Sequence, residues 1–297
     1  MQPTRHTDRH PILTLCVGTV LIAALSLAPA EANADTLAYP WPRASQNNDT
    51  LSERIPPPEG FVRRPVPAGS FADFLRSLPL APRGSLVVHY DGTPRVAQSV
   101  HVAVVDIDIG DRDLQQCADF VMRLRAEWLW SQGAKDEIAF NYTGGGRVPY
   151  LRFARGERPS EDGRRWRRSG TPDDSYAGLR RYLTQVFAYA GTASLEKELD
   201  DVSASGTPQI GDVVVKGGFP GHAALVADEV ENPRTGERRF LLVQGYMPAQ
   251  SLHVPRNPDS DTGSPWYAAP IRWPLRTPEW SFPEGSLKRW PAHPNRR

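Results

Sequence analysis

Cysteine is scarce in this sequence: the 297 residues contain two, Cys16 and Cys117. Two cysteines exclude a disulfide-stapled scaffold and a thiolate zinc cluster, both of which need more. Charge of one sign is also lacking, since 35 Lys and Arg balance 34 Asp and Glu to a net +1. Without a basic excess the chain does not read as a binder of nucleic acid or acidic lipid. It holds no internal repeat, no Walker-type glycine loop and no G-x-G-x-x-G after a strand, so nucleotide-cradling architectures have no support. Long apolar runs are missing beyond the N-terminus, and 23% charged with 39% hydrophobic residues describe a soluble globular chain. Proline is the residue in excess, at 29 where an average usage of about 5% gives roughly half as many. Long loops and extended connections follow, and an all-helical bundle is excluded.

The N-terminus reads as an export signal. Arg5 and Arg9 precede an apolar run over residues 12–28, and Ala32-Asn33-Ala34 has the small-x-small pattern of a signal peptidase site. Residues 1–34 are expected to be removed, leaving an exported chain, periplasmic or extracellular, with no stable membrane span. An uncleaved anchor is the competing reading, and the run is slightly short for a span of about 20 residues. Cleavage removes Cys16 and leaves Cys117 alone. In an exported protein a lone cysteine reads as a reactive thiol or an intermolecular bridge, or else as a small buried hydrophobe. Cysteine arithmetic does not separate these.

Residues 35–54 are polar and turn-rich and read as a linker; residues 55–283 read as one α+β domain, and residues 284–297 as a loose tail. Ser70 can cap a short helix stopped by Pro79. Residues 86–90 and 100–109 read as strands, with an amphipathic helix over 112–131 and a second over 173–190. Arginines around Trp166 in residues 147–169 suit either an anion or sugar grip or an exposed hairpin. The last third reads as β: residues 211–215, 223–230 and 239–244.

Three side chains form a candidate constellation. Cys117 falls in the first two turns of the helix over 112–131, with Asp111 or Asp113 as the cap, where the positive helix end favours a thiolate. It also shares a stripe with Leu114, Val121, Leu124 and Trp128, as a core residue would. His222 opens a strand after the Gly217-Gly218-Phe219-Pro220-Gly221 turn. A hairpin turning near residues 232–236 brings Gln244 roughly opposite His222, where an amide would orient the imidazole. The four carboxylates of Asp106, Asp108, Asp111 and Asp113 lack the ligand order of a calcium loop. His89, His101 and His253 have no metal-ligand spacing, so no metal site and no cofactor are expected.

The order of Cys117 on a helix, Gly-Asp-Val-Val-Val at 211–215, Gly-His-Ala-Ala-Leu-Val at 221–226 and a polar residue on the next strand resembles papain-like cysteine hydrolases. It is most similar to NlpC/P60 and CHAP-type cell-wall peptidases and amidases. That resemblance implies a papain-like α+β fold with helices packed on an antiparallel sheet. It makes Cys117 the nucleophile, His222 the base and Gln244 the orienting residue. Gln116, or Gln115, would join the Cys117 N–H around an oxyanion, and Trp266, with Tyr246 and Trp166, would line a sugar groove. The partner implied is peptidoglycan or another envelope polymer. The alternative is a non-catalytic exported module binding envelope glycans on the same fold. Two features depart from the pattern: Cys117 a turn deep in its helix, and Gln in place of the usual Asn, Asp or His. Over residues 55–282 the chain also resembles a bacterial family, domain of unknown function 4846. That resemblance runs through residues 112–119, 123–127, 189–192, 217–222, 246–250, 264–267 and 277–280 and implies no activity.

Overall fold

The computed structural model describes residues 1–2, 39–44, 49–202 and 206–292, so the expected signal peptide lies almost wholly outside the described residues. In chain order the helices are α1 (Leu51–Arg54), α2 (Phe71–Arg76), α3 (Cys117–Ser131), α4 (Tyr150–Ala154), α5 (Tyr176–Tyr189) and α6 (Thr192–Glu198). The strands begin with β1 (Val62–Arg63) and β2 (His101–Val104), followed by the hairpins β3–β4 (Ala139–Asn141, Arg147–Pro149) and β5–β6 (Glu157–Pro159, Trp166–Arg168). Then come β7 (Asp200–Asp201), β8 (Val213–Lys216), β9 (His222–Glu231), β10 (Arg238–Val243), β11 (His253–Pro255) and β12 (Trp266–Ala269). The hairpin β13–β14 (Leu275–Arg276, Ser281–Phe282) and β15 (Leu287–Arg289) complete the chain.

Strand β9 is the axis of the main sheet. Its first nine residues are buried, as an apolar run covered on both faces should be. The turn into β10 closes where the Asn232 side chain accepts from the Arg234 and Thr235 N–H groups, and Gly236 supplies a positive φ of 72°. The strand order is β12-β10-β9-β8-β15-β7, antiparallel at each pairing, and β1 extends the far end of β9. Ala223, Leu225 and Ala227 face a core shared with α2 and α3, whereas Ala224 and Val226 face Tyr267, Leu275 and Phe282. The molecule is therefore α+β, with a few helices against mostly antiparallel sheets.

Helix α3 crosses the centre of the first core and is buried nearly all round. Its polar interior groups are paired: Arg123 and Glu127 bond at 3.1 Å one turn apart, and Tyr176 donates to Glu127 at 2.8 Å. A second paired charge sits in β9, where Asp228 is fully buried between Arg63 and Arg76, both at 2.7 Å.

Three expectations about organisation need correction. Within the stretch expected to be a linker, residues 39–44 and 49–54 are anchored to the domain. Trp41 is 2% exposed, donates to the Asp106 carbonyl at 2.8 Å and packs tilted against Tyr39 and edge-on against Phe74. Leu51 of α1 is buried as well, so two apolar anchors hold a segment whose average composition is polar. Nor does the fold end at residue 283, because β15 pairs with β8 and β7, and Arg289 forks onto Asp212 at 2.6 and 2.7 Å. Residues 86–90 form isolated bridges, Val88 with Pro94 and His89 with Gln250, rather than a continuous strand.

Candidate active site

Helix α3 begins at Cys117 itself, not at residue 112. The loop before it is tied down by other partners. Gln115 is buried, with its amide nitrogen on the Asp108 carbonyl at 2.9 Å and its oxygen on Arg123 at 2.9 Å. Asp113 accepts from the Gln116 side chain at 3.0 Å and from the Ala249 N–H at 2.7 Å. Asp119, rather than Asp111 or Asp113, takes the helix-start N–H, that of Gln116, at 2.9 Å. These bonds hold residues 108–116 out of helical geometry and put Cys117 first in the helix, where N–H groups lack intrahelical partners.

The end of β10 makes room for that helix start. A Cβ on Gly245 would meet the Phe120 ring at 2.5 Å and the Gln116 carbonyl at 3.2 Å, so only glycine admits α3 this closely. Cys117 is 8% exposed. Burial pushes its thiol up from 9.0 to about 11, with the Asp119 carboxyl adding to the rise, against lowering from the Ala223, Ala118 and Cys117 backbones. Desolvation wins over the helix end, and the resting group is a neutral thiol.

His222, first residue of β9, places Nε2 3.0 Å from Oε1 of Gln244. The two are not directly opposite. The β9–β10 register slips between Leu241 and Leu242 and then runs Leu242 with Val226 and Val243 with Leu225. Continued past the strand end, it sets Gln244 against Ala224 and Tyr246 against His222, so Gln244 reaches His222 on the diagonal. The His222 ring packs on Tyr246 at 4.8 Å, Trp280 at 5.5 Å and Phe282 at 5.5 Å. Burial among them pushes His222 down from 6.5 to about 4, opposed by its hydrogen bond to the Gln244 amide oxygen. Behind Gln244 lies His253, fully buried, its Nε2 3.4 Å from the Gln244 amide nitrogen and its Nδ1 3.0 Å from the Ser251 carbonyl.

His222 and Gln244 are therefore in direct contact, and Cys117 joins them through shared neighbours. The Ala223 backbone bears on the thiol, and the phenol of Tyr246, pushed up mainly by burial, also registers the charge of Cys117. By strand alternation His222 projects with Ala224 and Val226, away from the core face of α3. Cys117 thus bears on the start of β9 from the face opposite to that of the His222 ring.

A cleft of about 410 Å³ opens at the helix start, lined by Gln116, Cys117, Asp119, Thr192, Phe219 and Met247 among others. Gln116 thus lies beside Cys117, whereas the bonds of Gln115 commit it elsewhere. Trp266 is not brought to this place: its indole donates to the Pro56 carbonyl at 3.1 Å, beside a separate cavity of about 520 Å³. Trp166 sits on the β5–β6 hairpin under Arg152, 4.3 Å from the ring. Sequence reasoning missed His253 as a neighbour of Gln244; the antiparallel bridge between residues 244 and 253 creates that contact, and no local motif announces it. It also missed Trp280 and Phe282 as walls of the histidine. Among the described residues, no cluster of three or more His, Cys, Asp or Glu is arranged to hold a metal, and no helix is long and apolar enough to cross a membrane.

No curated protein and no solved structure matches the chain. A family model does match, over residues 51–289, a span that runs from α1 through β15 and contains Cys117, His222, Gln244 and His253. That span makes the chain a member of the family described as Domain of unknown function (4846).

Proposed function

We propose that the protein is an exported cysteine hydrolase of amide bonds, of the papain-like NlpC/P60 type, with peptidoglycan as its substrate. The observation that carries the reading is a cysteine at the first position of a buried helix, bearing on the Ala223 backbone next to a strand-opening histidine whose ring is hydrogen-bonded to a side-chain amide. In this reading the Cys117 thiol gives its proton to His222 as sulfur attacks the amide carbonyl carbon. Collapse of the tetrahedral adduct expels the amine, which takes that proton from His222, and leaves a thioester. Water then attacks the thioester carbonyl, releasing the acid and restoring the thiol. The developing oxyanion would be met by the Cys117 N–H and by the second hydrogen of the Gln116 amide nitrogen, whose first is held by Asp113. The sequence needs no metal or organic cofactor for these steps. Purified sacculi incubated with the protein should lose cross-links or stem peptides, and Cys117→Ser should abolish the release. Unchanged release by Cys117→Ser would refute the mechanism.

A second reading is favoured by two observations: the buried, neutral thiol and the placement of His222 on the far side of the strand from the α3 core. On that reading the same cleft binds an envelope glycan without cleaving it. Saturable sacculus binding that survives Cys117→Ser, with no product released by the unaltered protein, would establish it instead.

A further inference from the structure

The deepest polar groups near the candidate site form a chain whose protons can be assigned from one end. A carbonyl oxygen only accepts, so the His253 Nδ1 that lies 3.0 Å from the Ser251 carbonyl carries the hydrogen. In a neutral ring Nε2 of His253 is then a lone-pair acceptor. Burial, helped by the nearby charges of His101, Arg95 and His222, pushes His253 down to about 3 and keeps it neutral. An acceptor at His253 requires the donor end of the Gln244 amide, and the 3.4 Å contact is indeed with the amide nitrogen. The amide oxygen must then face His222, whose Nε2 lies 3.0 Å away and so carries the hydrogen. Nδ1 of His222 is left with the lone pair that a base needs.

We propose that His253 is a positioning residue, which fixes the orientation of the Gln244 amide and through it the tautomer of His222. The carbonyl of Ser251 anchors the series, so orientation passes from backbone to His253 to Gln244 to His222. A flipped amide would set its nitrogen against the His222 N–H and its oxygen against the His253 lone pair, losing both bonds in a buried place. The catalytic significance of this arrangement rests on the hydrolase reading above, whereas the proton assignment does not.

The test is long-range proton–nitrogen NMR on the full chain labelled with nitrogen-15 histidine, with each ring assigned by its own variant. The expected result is a Nδ1–H tautomer at His253 and a Nε2–H tautomer at His222, both unchanged in Cys117→Ala. His253→Phe, which removes the acceptor, should mix the tautomers of His222, and His253→Gln should restore the single form through its own carbonyl oxygen. Sacculus hydrolysis by His253→Phe should lose roughly ten- to a hundredfold in kcat with KM unchanged, the range for losing a partner that orients a functional imidazole. A Nε2–H tautomer at His253, seen in the unaltered protein, overturns the inference whatever the variants do. A single unaltered tautomer of His222 in folded His253→Phe also overturns it. The expected tautomers in a protein that releases nothing from sacculi would sink the hydrolase reading and leave this inference standing.

Discussion

Shortening Gln244 by one methylene gives the sharpest test of the site's geometry. In Gln244→Asn the amide withdraws by about one C–C bond, roughly 1.5 Å. The 3.0 Å contact to His222 and the 3.4 Å contact to His253 both pass beyond hydrogen-bonding distance. The His222 Nε2–H is then buried without a partner, at about 1–3 kcal/mol. The longer His253 bond adds about 1 kcal/mol, at the low end of that range. The vacated methylene adds about 0.8 kcal/mol, for a total loss of about 3–5 kcal/mol. At about 2–4 °C per kcal/mol for a domain of this size, Tm should fall by about 6–20 °C. Gln244→Met, which keeps the length and loses both bonds, should cost about 0.8 kcal/mol less because it leaves no methylene gap. Urea unfolding of the three proteins, followed by tryptophan fluorescence, supplies the free energies. A loss below about 1 kcal/mol in Gln244→Asn would show that the amide does not bridge the two histidines, and the reasoning would fail.

Two other outcomes follow from the same geometry and charge placement. Because burial pushes the Cys117 thiol from 9.0 to about 11, its thiolate at pH 8 is about a hundredfold scarcer than that of a thiol at the lower value. Iodoacetamide labelling of native protein should therefore quicken about tenfold per pH unit through neutrality and level off only near pH 11, and a plateau below pH 8 would contradict a neutral resting thiol. Asp228→Ala leaves Arg63 and Arg76 without their shared buried carboxylate and should cost about 3–5 kcal/mol in urea unfolding, whereas a change under 1 kcal/mol would mean that the pair is already solvated.

What the sequence reveals is what depends on local pattern. The apolar run after His222 marks β9, and the Asn-Pro-Arg-Thr-Gly turn marks the hairpin to β10. Helix α5 starts at Tyr176 behind the cap Ser175, whose hydroxyl accepts from the Gly178 N–H, and so falls inside the range its periodicity predicts. The start of α3 escapes such reasoning because its decisive bonds are distant. Asp113 is drawn off by Ala249, 136 residues away, and Gln115 by Asp108 and Arg123. Trp41 escapes it for a related reason, since a single anchored tryptophan outweighs the polarity of its neighbours. Correcting the helix start removes one departure from the papain-like pattern, because Cys117 now stands at the first helical position.

The other departure, glutamine where a shorter polar residue is usual, follows from register. The register from the turn to Leu241 would set residue 244 against Leu225, on the α3 face of the strand, but the bulge at Leu241 and Leu242 shifts the facing partner to Ala224, on the face of His222. A diagonal neighbour on an antiparallel pair lies about 7–8 Å away by Cα, too far for Asn to serve both histidines from this position. The extra methylene of Gln244 crosses that diagonal, and its amide has a donor left over on the side away from His222. His253 takes that donor because the bridge between residues 244 and 253 folds the following segment back beneath the amide. The bulge, the longer side chain and the second histidine are thus coupled consequences of one slipped register. Replacing Gln244 by Asn, or His253 by Phe, therefore leaves a buried polar group unpaired, whereas His253→Gln keeps an acceptor for the amide nitrogen.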